Sequence, residues 1–159
     1  MAEGRILRLL LDTTYFLPAI GISVKNLPKD VPLRLLRKEH NIYVSDISVF
    51  ELAAKGAKYI ASKRLSSERV AKGIRAIIYD DAVSIVQMHD SSILLTAFKL
   101  RGMLGDFIDC LILSSALNKC DSLITEDSDM LNLNGSKEFI ELAMKIKPIF
   151  KIRTMAEMT

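Results

Sequence analysis

Four acidic residues in this chain fall where carboxylates could do chemistry. Asp12 directly follows the apolar run Leu9-Leu10-Leu11, and Asp127 follows Leu123-Ile124-Thr125-Glu126. Glu51 stands early in a helical pattern, next to Phe50 and four residues after Ile47, so it flanks an apolar stripe. Asp109 lies in the first turn of another helical pattern and shares a face with Ile112 and Ala116. A carboxylate on a core-facing stripe is costly unless something positive satisfies it. Four such acids gathered at one sheet edge would repel one another strongly without a cation. An all-oxygen donor set suits a hard divalent ion, Mg²⁺ or Mn²⁺, and such sites usually serve phosphate chemistry.

Each acid also has a plain structural explanation. Asp12 or Asp127 could cap the helix that follows it. Asp106 and Asp109 could be first-turn acids complementing a helix dipole, and Glu51 could extend to solvent. The case for a metal site therefore rests on the set and on the elements that would bring its members together.

Those elements alternate along the chain. Apolar runs at Ile6 to Leu11, Ile42 to Val44, Val83 to Val86, Ser122 to Thr125 and Ile149 to Ile152 predict five strands. Between them, helices are expected at Thr14 to Ile20 with a hydroxyl cap, Lys29 to His40, from Ser45-Asp46 to about Ala61, and Ser66 to Ile78. Others are expected at Ser91 to Arg101, Asp106 to Asn118 and Ser136 to Lys145. In the helix after the second strand, Ile47, Phe50, Ala54, Ala57 and Ala61 recur at helical spacing. Gly21 to Asp30 and Asn132 to Ser136 read as loops. Strands separated by helices imply a parallel or mostly parallel sheet covered on both faces. Ligands then gather outside the carboxyl ends of the strands, where Asp12 and Asp127 stand.

Composition narrows the class. A chain of 159 residues, half hydrophobic and about a quarter charged, suits one globular domain, 1–159. No apolar run approaches the ~20 residues of a membrane span. The start, Met1-Ala2-Glu3-Gly4-Arg5, lacks the form of a secretory signal, so a cytoplasmic protein with no membrane partner is expected. Cys110 and Cys120 would lie roughly 15 Å apart along a helix, too far to bridge, and read as small buried hydrophobes. His40 and His89 are scattered, which argues against a Cys/His zinc site. A net charge of +3 permits a polyanionic partner without requiring one. Arg69 and Lys72, within a basic stretch from Lys55 to Arg75, read first as a solvated helix face and second as an RNA-backbone contact.

The ordered motifs resemble the PIN domain, the fold of VapC-type toxins and of many RNA-processing nucleases. The matching segments are Leu9-Leu10-Leu11-Asp12-Thr13-Thr14, Ser45-Asp46-Ile47-Ser48-Val49-Phe50-Glu51-Leu52, the alanine- and serine-containing helix from Asp109 to Leu117, and Leu123-Ile124-Thr125-Glu126-Asp127-Ser128-Asp129. The resemblance runs from Leu7 to Ile152 and implies a three-layer α/β/α fold with a central, mostly parallel five-stranded sheet. It makes Asp12, Glu51, Asp109 and Asp127 the catalytic metal ligands, with Asp106 and Asp129 in support. Thr14 and Thr125 would be the polar residues beside the first and last acids. It further implies Mg²⁺- or Mn²⁺-dependent hydrolysis of RNA leaving a 3′-hydroxyl and a 5′-phosphate, an antitoxin partner and a homodimer. The chain departs from the family pattern at Glu126, often basic there, and at Met130, often aromatic.

Rival readings are weaker. A phosphatase with an aspartyl nucleophile wants a second Asp two residues after Asp12, where Thr14 stands. A receiver-like domain needs an acid after the third strand, and Val86-Gln87-Met88 supplies none. A PIN scaffold used only for binding, or for RNA processing, is the remaining alternative.

Overall fold

The computed structural model describes residues 4–158. Its centre is a five-stranded, wholly parallel sheet of β1 (Arg8–Leu11), β2 (Asn41–Ser45), β3 (Val83–Val86), β4 (Ser122–Ile124) and β5 (Lys151–Arg153), in the order β3-β2-β1-β4-β5. All five predicted strands are present. β5 begins two residues later than expected. Strand β1 is central, so both its faces are covered, and Leu9, Leu10 and Leu11 are all fully buried. This is why its sequence runs apolar without alternating.

Helices cover both faces. On one side α4 (Ser91–Leu100), α5 (Phe107–Lys119) and α7 (Lys137–Ile146) build a core with Leu10, Leu123 and Ile152 of the sheet. On the other lie a 3-10 helix (Thr13–Ile20), α1 (Val31–Arg37), α2 (Asp46–Ala61) and α3 (Ser67–Ile78), packed on Leu9, Leu11, Ile42 and Ile124. A short α6 (Ser128–Asn132) and a 3-10 turn (Leu133–Gly135) link β4 to α7. The expected loop Asn132 to Ser136 therefore holds a turn of helix. Cys110 and Cys120 are buried and unpaired as disulfides, matching the expectation.

Three sequence expectations are corrected. The helix expected from Thr14 with a hydroxyl cap is a 3-10 helix starting at Thr13, and its cap is the Asp12 carboxylate. The helix expected over Lys29 to His40 is only Val31–Arg37, ended by Glu39 in the left-handed region at φ 65°. In α2 the buried stripe is Ser48, Leu52 and Gly56, while Phe50 is 64% exposed and Ala54, Ala57 and Ala61 face solvent. The reason is close packing against α3. A Cβ on Gly56 would stand 2.4 Å from a Val70 methyl, so the face that meets α3 must carry glycine there and the alanine face turns to solvent.

Chain direction places the site. From β1 the sheet extends through β2 to β3 on one side, and through β4 to β5 on the other. The connectivity therefore reverses between β1 and β4, a topological switch point, where a crevice opens at the carboxyl ends of the strands.

Candidate active site

Asp12 lies at that switch point. Its amide bonds the Ile124 carbonyl at 3.0 Å, extending the β1–β4 ladder by one residue and bringing it beside the end of β4. The side chain is 9% exposed. Oδ1 accepts the Thr13 N–H at 2.8 Å, and Oδ2 accepts the Thr125 hydroxyl at 2.7 Å. Thr125 in turn accepts the Asp127 N–H at 3.0 Å, so one hydroxyl ties the first acid to the backbone of the last. Thr125 thus stands where the sequence put polar support.

Glu51 is held, not extended to solvent. The Thr13 hydroxyl lies 2.6 Å from Glu51 Oε1 and 2.9 Å from Ser48 Oγ. With one hydrogen to give, Thr13 donates to the carboxylate and accepts from the serine. Thr13 and Ser48 are site residues that the sequence reading did not single out. Their signal was available: one adjoins Asp12, and the other lies one helical turn before Glu51 on the same face. Thr14, expected in this role, is half-buried, and its side chain takes no hydrogen bond among the described residues.

Asp127 caps α6 by accepting the Met130 N–H at 3.0 Å on Oδ1. Asp106 caps α5 by accepting the amides of Ile108 at 2.8 Å and Asp109 at 3.4 Å. The capping and ligand readings are therefore not exclusive, since a cap engages only some of a carboxylate's lone pairs. The Asp109 side chain is half-buried and accepts no hydrogen bond among the described residues. Asp106, Asp109 and Asp129 line a cleft of about 610 Å³, together with Leu104, Asn132 and Glu138. Asp129 and Asp106 are exposed at its rim.

The electrostatics show how these acids share one field. Burial, followed by repulsion from Asp106, Asp12, Asp127 and Glu51, pushes Asp109 up to about 7. Burial likewise raises Asp12 and Glu51 above the ordinary carboxylate range, against the pull of Lys55 and their threonine hydrogen bonds. The structure thus places Asp12, Glu51 and Asp127 within electrostatic range of Asp109, and Asp127 and Glu51 within range of Asp12. Among the described residues no three acidic, His or Cys side chains are drawn into a tight metal-ligand arrangement. The donor chemistry fits a hard divalent cation: every candidate is a carboxylate, several carry excess repulsion, and oxygen lone pairs remain uncommitted.

Asp109 sets an expected pH dependence. Its folded-state value lies above the unfolded value of 3.8, so the folded chain holds the proton more tightly. Stability without metal is greatest below that unfolded value and is lost as pH rises through about 7. Discounted for partial solvent access, the loss is about 1–2 kcal/mol, or about 3–6 °C in melting temperature. Melting in chelator from pH 5 to 8 checks this. Asp109→Asn should flatten the slope; an unchanged slope would place the effect elsewhere.

The basic residues from Lys55 to Arg75 are all exposed, as a solvated face would be, and two of them also make structural contacts. Arg69 donates to the Ala19 carbonyl at 2.6 Å, and Arg64 stacks 4.4 Å above the Tyr59 ring. Lys55, one turn after Glu51, is the cation whose charge reaches both Asp12 and Glu51.

A family model described as PIN domain matches residues 9–135, which hold all four acids. The chain belongs to the PIN domain family. PIN domains are typically nucleases that use divalent metals, so hydrolysis is the activity expected at family level. Two solved structures share the fold. VapBC2 from Rickettsia felis, bound to a DNA fragment from its promoter, is 21% identical with a TM-score of 0.57, covering 92% of this chain and 98% of that one. DNA-bound VapBC from Salmonella typhimurium is 22% identical with a TM-score of 0.57, covering 94% and 99%. No curated protein sequence matches at a significant level. Among the described residues no helix of this PIN domain is long and apolar enough to cross a membrane.

Proposed function

We propose that this PIN domain is an Mg²⁺- or Mn²⁺-dependent endoribonuclease of the VapC toxin type. What supports the reading is the position of Asp12 at the switch point, tied through Thr125 to Asp127, with the charges of Asp12, Glu51 and Asp127 adding to burial in raising Asp109. These four would hold the ion, with Asp106 and Asp129 at the rim. When bound, the ion supplies positive charge at the scissile phosphate and acidifies the attacking water. Asp12 and Glu51 enter the site pre-aimed by Thr125 and Thr13, so little rearrangement is needed at the moment of reaction. Asp109, whose proton is held up to about pH 7, loses it before it can serve as a ligand. Water adds to phosphorus as the bond to the 3′ oxygen breaks; the departing oxygen takes up a proton. The products carry a 3′-hydroxyl and a 5′-phosphate.

The reading extends to the whole chain as one domain, to an antitoxin partner and to a homodimer. The two complexes that share its fold support the first of these partners. Incubating purified protein with mixed RNAs, with Mn²⁺ or with chelator, tests the activity. Metal-dependent cleavage with 5′-phosphate ends is expected. Cleavage that persists in chelator would overturn the metal dependence, and none under any condition would leave a binding scaffold as the better description.

A further inference from the structure

The chain departs from its family's usual basic residue at Glu126, and the structure gives that residue other work. Tyr15, in the 3-10 helix that starts directly after Asp12, is 1% exposed. Its hydroxyl donates to Glu126 Oε2, and the same oxygen accepts the Met155 N–H at 3.0 Å. Glu126 is the residue between Thr125, fixed on Asp12, and Asp127, which caps α6. The turn from β4 into α6 is therefore pinned at two successive residues, once to Asp12 and once to Tyr15. Met155, itself buried in the core beside Tyr15, adds the segment after β5 to the same tie.

We propose that Tyr15 and Glu126 are positioning residues, whose hydrogen bond holds the Thr125–Asp127 turn against the segment following Asp12 and sets where Asp127 presents its carboxylate. The inference rests on the metal-dependent nuclease reading. It makes a specific demand: the tie needs an acceptor oxygen at Glu126, not a charge. Gln offers that oxygen to both Tyr15 and Met155; Ala offers none.

The test compares Tyr15→Phe, Glu126→Ala and Glu126→Gln with the parent chain. Mn²⁺ affinity by calorimetry, kcat and KM on RNA, and melting temperature are measured for each. Outer-shell partners of this kind are worth about 10–100-fold in metal affinity or activity. Tyr15→Phe and Glu126→Ala should lose about tenfold or more in both Mn²⁺ affinity and kcat, with KM within about twofold. Glu126→Gln should return to within about threefold of the parent chain. Parent-like Mn²⁺ affinity in a folded Tyr15→Phe or Glu126→Ala would overturn the proposal. So would a Gln variant as impaired as the Ala one, since the charge itself would then matter. If the parent chain neither binds Mn²⁺ nor cleaves RNA, the nuclease reading itself fails and this inference falls with it.

Discussion

Replacing Asp12 by Asn is expected to lower single-turnover RNA cleavage by about 10²–10³-fold and to leave the fold intact. The side chains are nearly isosteric, and the amide oxygen can still accept the Thr13 N–H. What disappears is the charge, together with Oδ2 as acceptor of the Thr125 hydroxyl, whose oxygen can instead accept from the new amide. Asp12 is a buried carboxylate whose burial already raises its pKa, so without a cation the charged form is a liability. Metal-free Asp12→Asn should therefore melt no lower than the parent at pH 8, and any stabilisation by added Mn²⁺ should shrink. Cleavage within a few-fold of the parent would mean that Asp12 is only a helix cap. Melting several degrees below the parent would give it a mainly structural role.

The second large effect is structural and lies away from the acids. Gly73, in α3, faces the end of the 3-10 helix so closely that an added Cβ would stand 2.2 Å from the Ala19 carbonyl oxygen and 2.9 Å from Ile20 Cα. Both obstacles are backbone, so no rotamer change relieves the overlap. Gly73→Ala should cost about 2–4 kcal/mol, or about 5–15 °C in melting temperature. Because the 3-10 helix begins at Thr13, the strain should also reach the Thr13–Glu51 contact and reduce activity. Gly135→Ala is the control, since no atom lies within 4 Å of its added Cβ. Equal melting of the two variants would show that α3 yields more readily than this packing implies.

The sheet was legible because its strands are continuous apolar runs and its helices begin with recognisable caps. Ser45, Ser66 and Ser136 all cap the helices expected to follow them. The face of α2 was not legible. Hydrophobicity pointed to Phe50 and the alanines, but contact distance selected Ser48, Leu52 and Gly56, and no periodicity in one helix reveals how closely its neighbour approaches. The four acids could be placed from strand ends and helix starts. Their support could be only partly placed. Thr125 was expected from its position before the last acid, whereas choosing Thr13 over Thr14 depends on which of two adjacent side chains points at Glu51. Local backbone conformation decides this: a 3-10 helix beginning at Thr13 turns its hydroxyl toward α2. Glu126 was visible only as a departure, because its partners Tyr15 and Met155 are distant in sequence.

The central claim is that these carboxylates form a divalent-metal site, and Mn²⁺ calorimetry at several pH values tests it most directly. With Asp109 at about 7, that residue should give up close to one proton on binding at pH 6 and almost none at pH 8. Apparent affinity should climb about tenfold per unit below pH 7 and level off above it. Asp109→Asn should bind more weakly at pH 8 and lose this pH dependence. Failure to bind Mn²⁺ at millimolar concentration, or affinity unaffected by pH and by Asp109→Asn, would contradict the account.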